Sequence, residues 1–194
     1  MRVPLRQSQR GFTLIDMIVV VCLIGIVLAM AVPGITGALD RMRLGQSARA
    51  VERELQGAKS RAVAKGRTIR VRFNCPGPGQ YRAVELIGSP RAPVPADSAA
   101  NRCDPVVYPS PAADDNPLTL PNLDGPVRRL DDAVQFGALP RIEFRPDGTA
   151  RYDTGVGGEW PMIPTTGISV RVDRGSKSST ILVNGLGKIT LQTQ

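Results

Sequence analysis

A chain of 194 residues with 42% apolar and 22% charged side chains has the composition of a folded protein and the length for one globular domain, short of two well-filled cores. It contains no histidine, which excludes Ser-His-Asp and Cys-His catalytic arrangements and many metal-site designs. The formal charge of +8 is a mild excess that permits attraction to nucleic acid or anionic lipid without arguing for either.

Residues Met1 to Arg10 are polar and basic, with Arg2, Arg6 and Arg10 and no acid, and no charge occurs from Met17 to Val32. Counted from Phe12, the apolar run before Pro33 is about 20 residues long, which at ~1.5 Å per residue spans a ~30 Å hydrocarbon core. The three arginines ahead of it place the amino end in the cytoplasm and the rest of the chain outside. Two readings compete at this point. A secretory signal peptide would be cleaved after the small-x-small triplet Ala29-Met30-Ala31, giving a soluble protein that begins at Val32. Asp16 stands against that reading. A carboxylate near the start of the run costs up to roughly 2.5 to 3.5 kcal/mol at mid-membrane, less near an interface, and a signal peptide gains nothing from it. An intramembrane carboxylate marks a functional site that needs a partner.

The stretch GFTLID followed by MIVVVCLIGIVLAMAVPG resembles the amino-terminal signature of type IV pilins and pseudopilins. The resemblance implies that a prepilin peptidase removes residues 1–11 by cutting after Gly11, and that the new amino group of Phe12 is N-methylated. It also implies an assembly role for Asp16, at the fifth position of the processed chain where the family usually has Glu, and for Pro33, where the family's proline falls. In the family the acid pairs with the free amino end of a neighbouring subunit, so that two charges costly in lipid neutralise each other. Loss of the three leader arginines leaves 22 of the 25 basic side chains against 17 acidic ones, a charge of +5.

Beyond Pro33 the helical signal resumes. Leu44, Ala48, Val51, Leu55, Ala58 and Ala62 form an apolar stripe, expected to pack on the domain's own sheet. Arg49, Glu52, Arg53, Glu54, Lys59 and Arg61 lie on the opposite, solvated face, and Gly66 after Lys65 is a stop. One helix is thus expected, its transmembrane half at 12–33 and its amphipathic half at 34–66, kinked near Pro33. From Arg67 the period changes to two. Ile69, Val71 and Phe73 alternate with polar residues, Asn74 to Gly79 is a turn cluster, and Tyr81 to Ile87 returns as the second strand of a hairpin. Arg70, Arg72 and Arg82 are expected to share one exposed face.

Gly88 to Pro126 differs in kind. It holds nine of the 17 prolines and five Asp against two Arg, so it is read as a long, acidic, exposed excursion and the place to look for partner specificity. Asp114-Asp115-Asn116 lacks the calcium-loop pattern and reads as solvated acids. Cys75 and Cys103 are the one pair able to meet in the domain. A bridge between them and two unpaired thiols are equally ordinary, and the lack of C-x-x-C spacing argues against zinc or thioredoxin-like use.

The remainder, from Val134 to Phe136 through Arg141 to Arg145, Ala150 to Tyr152, Ile168 to Val172, Thr180 to Val183 and Lys188 to Leu191, reads as strands with turns at Pro146-Asp147-Gly148, Asp173 to Ser179 and Asn184-Gly185. The pattern IEFRPDGTA, GISVRV, TILVNGLGKITL is similar to the carboxyl-terminal sheet of the GspH/FimT group of minor pseudopilins and pilins. Asp131, Asp132 and Glu143 read as surface acids, and no phosphate-binding glycine loop is present, since Gly155 to Gly158 lacks the spacing. The expectation is therefore an α+β chain, a long amino-terminal helix packed on a mostly antiparallel sheet domain at 67–194, without cofactor, metal site or enzymatic activity. Its expected role is that of a minor pseudopilin of type II secretion at or near the tip of a periplasmic filament, held by the inner membrane until assembly. Its expected partners are other major and minor pseudopilins, the prepilin peptidase, the inner-membrane assembly platform, membrane lipid and exported cargo. A minor type IV pilin, including one serving DNA uptake, is the alternative. It has weak support in a carboxyl end, GKITLQTQ, with one lysine, so nucleic acid is not an expected partner.

Overall fold

The computed structural model of the chain describes residues 13–88, 97, 99–112, 121, 123–137, 139–154 and 160–193, with the backbone alone at 31–34, 100 and 193. Two compact units divide the chain, residues 1–40 and 41–194. Helix α1, Leu14–Lys65, contributes to both. It continues through Pro33 and ends where the sequence places its stop. Gly66 adopts φ +66°, and the Arg67 N–H turns back to the Ala62 carbonyl at 3.2 Å, the six-to-one bond that closes a helix on a left-handed glycine.

In the second unit the expected stripe is the helix's buried face. Ala48, Val51, Leu55, Ala58 and Ala62 are fully buried and Leu44 nearly so. Each buried branched aliphatic side chain contributes about 1.5–3 kcal/mol of transfer free energy. They pack against two antiparallel sheets formed by β1 (Ile69–Phe73), β2 (Gln80–Glu85), β3 (Arg128–Arg129), β4 (Gln135–Phe136), β5 (Ile142–Phe144), β6 (Ala150–Tyr152), β7 (Ile168–Arg174), β8 (Lys177–Val183) and β9 (Ile189–Thr193). The first sheet has the order β3-β2-β1-β5-β6 and the second β4-β7-β8-β9. Alternation explains the register. Ile69, Val71, Ile142 and Phe144 from the first sheet and Val170, Val172, Ile181 and Val183 from the second join one core with the helix stripe. Phe136 of β4 stands between Phe73, at 5.0 Å between ring centroids, and Tyr81, at 5.6 Å and edge-on.

The β7–β8 hairpin is tighter than expected. Its turn is Gly175-Ser176, because the polar residues on either side continue the ladder, with Asp173 opposite Ser178 and Arg174 opposite Lys177. Strand β3 and a short 3-10 helix at Ala100–Cys103 were not expected, since neither a two-residue Arg-Arg strand nor a four-residue turn has a readable period.

Three expectations on exposure are corrected. Arg70, Arg72 and Arg82 do share one face of the β1–β2 hairpin, but Arg70 and Arg82 are buried and Arg72 is half-buried, because the excursion folds back over them. Glu54 is buried, since the segment leading into β3 lies against α1. Arg61 donates to it at 2.8 Å and Arg128 at 3.4 Å. Glu143 is no surface acid; it is buried beside Arg70.

Candidate functional site

The amino-terminal segment carries a polar site at the start of the apolar run of α1. Thr13 precedes α1 and Asp16 is its third residue, the spacing of a capping box. The Thr13 N–H and hydroxyl both donate to Asp16 Oδ2, at 3.1 and 2.7 Å, and the Asp16 N–H donates to Thr13 Oγ1 at 3.3 Å. The negative charge also faces the positive end of the helix dipole. Both side-chain contacts fall on one carboxylate oxygen, and among the described residues Oδ1 receives none. Around this site the apolar side chains find nothing inside the unit. Leu14, Ile15, Met17, Ile18 and the valines and leucines onward to Met30 are all exposed. The helix is long and apolar enough to cross a membrane. Gly11 and Phe12 lie outside the described residues, as do Asp114, Asp115 and Asn116 and the loop at 155–158. At Pro33 only the backbone is described.

The excursion forms a second, inward-looking cluster. Cys75 and Cys103 are joined, with their Cα atoms 5.6 Å apart. Arg102, fully buried, embraces Asp124 with both guanidinium nitrogens, one at 2.8 Å, donates to the Glu85 carbonyl at 2.8 Å, and lies 4.4 Å over the Tyr108 ring. Arg82 donates to the carbonyls of Gly125 at 2.6 Å, Cys103 at 3.3 Å and Tyr108, and pairs with Asp124 at 3.7 Å. Asp97 accepts the N–H groups of Ile87 and Gly88 at 2.8 and 2.9 Å. Arg70 pairs with Glu143 and sits 4.3 Å from the Trp160 ring. Burial lowers the pKa of Arg82, against the pull of Asp124, and raises that of Glu143, against the pull of Arg70. These are structural ion pairs. Their charges are paired within the chain itself, and among the described residues no group of three or more His, Cys, Asp or Glu can hold a metal. Sequence reasoning missed Arg102, Asp124 and Asp97 as anchors. An arginine directly before Cys103 in an acidic stretch was the available signal.

Comparison with known proteins bears on the first site. Residues 6–32 match the prokaryotic N-terminal methylation motif, a window that contains Gly11, Phe12 and Asp16. Over 91 residues the chain is 30% identical to the type II secretion system protein H of Xanthomonas campestris pv. campestris, covering 47% of this chain and 52% of that protein. The chain thus spans about half the length of the relative it matches. The structure of the minor pseudopilin EpsH from the type 2 secretion system of Vibrio cholerae aligns with 78% of this chain and 97% of its own, at 9% identity and a TM-score of 0.43. The chain is thus similar at its amino end to the prokaryotic N-terminal methylation motif, and over about half its length to a type II secretion system protein H.

Proposed function

We propose that the chain is a minor pseudopilin of a type II secretion system, a structural subunit at or near the tip of a periplasmic pseudopilus and not an enzyme. The observation that carries this reading is the methylation motif over residues 6–32, whose described part from Leu14 is helical with its apolar side chains exposed. The prepilin peptidase cuts between Gly11 and Phe12 on the cytoplasmic side, and Phe12 is N-methylated. The helix then anchors the subunit in the inner membrane, amino end inside and the sheet domain in the periplasm. Extraction into the filament exchanges lipid for the helices of other pseudopilins, so the apolar surface stays covered and little hydrophobic energy is lost.

Asp16 supplies register. Its Oδ2 is taken by Thr13, while its Oδ1 is available to the ammonium of a neighbouring subunit's Phe12. Asp is one methylene shorter than the family's Glu, and the Thr13 contacts hold the carboxylate in one rotamer, which favours a single approach. The stroke itself draws on a separate cytoplasmic ATPase, and the domain meets the assembly platform and cargo as a passive element. The DNA-uptake alternative gains no support from the arginines of the β1–β2 hairpin, since Arg70 and Arg82 are buried under the excursion.

Mass spectrometry of the amino end of the mature protein tests the reading. A chain beginning at N-methylated Phe12 is expected. A chain beginning at Val32 overturns it.

A further inference from the structure

The sheet edges of the second unit are treated unequally. The outer edge of β6 is covered by residues 161–163, with Tyr152 N–H bonded to Pro161 O at 3.2 Å, Ile163 N–H to Ala150 O at 3.0 Å, and a bridge between Arg151 and Met162. The edge of β2 is covered by β3 and by Gly125, whose N–H bonds the Ala83 carbonyl at 2.8 Å. Strand β4, at the far edge of the second sheet, is two residues long. Strand β9 is the exception: five residues, Ile-Thr-Leu-Gln-Thr, paired on one side only with β8.

The phase of that pairing fixes which groups face outward. The Asn184 N–H bonds the Lys188 carbonyl at 3.1 Å, so this pair and, alternating along the ladder, Leu182 with Thr190 and Thr180 with Gln192 exchange hydrogen bonds. The N–H and C=O groups of Ile189, Leu191 and Thr193 therefore point away from β8. Among the described residues none of them has a bonding partner. Exposed edges are ordinarily blunted by charge, proline, a bulge or brevity, and β9 contains none of these.

Beside this edge runs a groove walled by Lys59, Ser60, Val63 and Ala64 of α1 and floored by Ile189. The Lys59 ammonium fixes one end by donating to the carbonyls of Leu186 and Gly187, at 3.2 and 3.0 Å. Val63 is half exposed there, and Lys188 is exposed at the same end as Lys59.

We propose that β9 is a docking edge that takes an extended strand of a different polypeptide by β-augmentation. The chemistry specifies the occupant. Only an extended chain bonds N–H and C=O groups that recur at every second residue. Its alternate side chains must be small or apolar where they meet Val63, and a carboxylate near Lys188 completes the end. The choice of a different polypeptide over a second copy rests on the functional reading above, in which this chain works among other subunits.

Hydrogen–deuterium exchange of the full chain decides it, comparing purified protein in detergent with protein in native membranes of the producing cell and scoring filament incorporation in parallel. In purified protein the amides of Thr190 and Gln192 exchange slowly and those of Ile189, Leu191 and Thr193 freely. In the cell membranes those three slow by at least about tenfold. Free exchange at the three amides in a chain that is incorporated into filaments overturns the docking edge and leaves the functional reading standing. Protection in a chain found outside filaments supports the edge and removes that reading. Protection that grows with concentration of the purified protein identifies a second copy as the occupant and overturns the proposal.

Discussion

Residues 14–40 and residues 41–194 solve the same problem in opposite ways. In the first unit the apolar side chains face outward and the Asp16 carboxylate sits among them, held by Thr13 among the described residues. In the second unit the apolar side chains converge on one core, and even Arg82, Arg102, Glu85 and Glu143 are taken inside with partners. The difference teaches where each unit's free energy is completed. The second unit pairs its buried charges within the chain, so substitutions at those charges register in folding. The first unit leaves its apolar surface and, among the described residues, Asp16 Oδ1 exposed, so on the proposed reading substitutions there are expected to register in assembly.

The strongest way to break this division is to remove the counter-charge from the buried cluster. Asp124→Ala leaves Arg82 and Arg102 buried without their carboxylate, and is expected to cost about 3–5 kcal/mol in urea unfolding. A loss under 1 kcal/mol would mean that water reaches the two guanidiniums and that the excursion is not an inward-looking element. Next in size is the bridge between Cys75 and Cys103. It closes a loop with a sequence separation of 28, and the chain-entropy account gives about 3–4 kcal/mol for its removal by paired substitution to Ala. Release of the excursion should also bring Arg72 and Arg82 to solvent, which limited proteolysis with trypsin reads directly.

What the sequence made legible follows from the same division. Period carried the reading wherever one face is apolar: the stripe from Leu44 to Ala62 and the alternation Ile69, Val71, Phe73 are buried as their spacing requires. The uncharged run, and Asp16 at its start, stood out because a membrane segment tolerates so few charges. Burial of Arg70, Arg82, Glu54 and Glu143 was not legible. Strand alternation says which residues share a face, and says nothing of a later segment that returns to cover it. The partner of Arg82 is 42 residues away at Asp124, and its position is fixed by the disulfide and by the Gly125 contact with Ala83, none of which has a periodic signature. Thr13 and Asp16, three residues apart, form a capping box that the spacing alone would have disclosed.

A smaller effect sharpens the account of the core. Burial pushes the Tyr81 phenol up from 10.0 to about 12, with Glu54 adding to the shift and Arg128 opposing it. Below pH 10 the phenol is neutral in both folded and unfolded chains, and its contribution is intact. As pH rises from 10 towards 12 the unfolded chain ionises first, so stability is lost across that window, by about 2–3 kcal/mol at about 1.36 kcal/mol per unit. Tyr81→Phe removes this part of the alkaline loss. Equal alkaline slopes for the two proteins would place Tyr81 in contact with water.

The smallest effect on folding is expected where the effect on function is expected to be large. Asp16→Ala removes a carboxylate that makes no contact beyond Thr13 among the described residues, so the unfolding of residues 41–194 should stay within about 0.5 kcal/mol of the parent. If Asp16 Oδ1 meets a neighbour's ammonium, loss of a pair worth about 1.4 kcal/mol lowers incorporation into filaments about tenfold. Asp16→Glu should restore it, since the charge is kept and the reach is longer. Asp16→Asn separates the two roles of the side chain, because the amide oxygen still accepts from Thr13 while the charge is gone. Failure of Asp16→Asn to assemble, with its helix start intact, assigns the requirement to the charge; assembly at the parental level assigns it to the cap and removes the intersubunit pair.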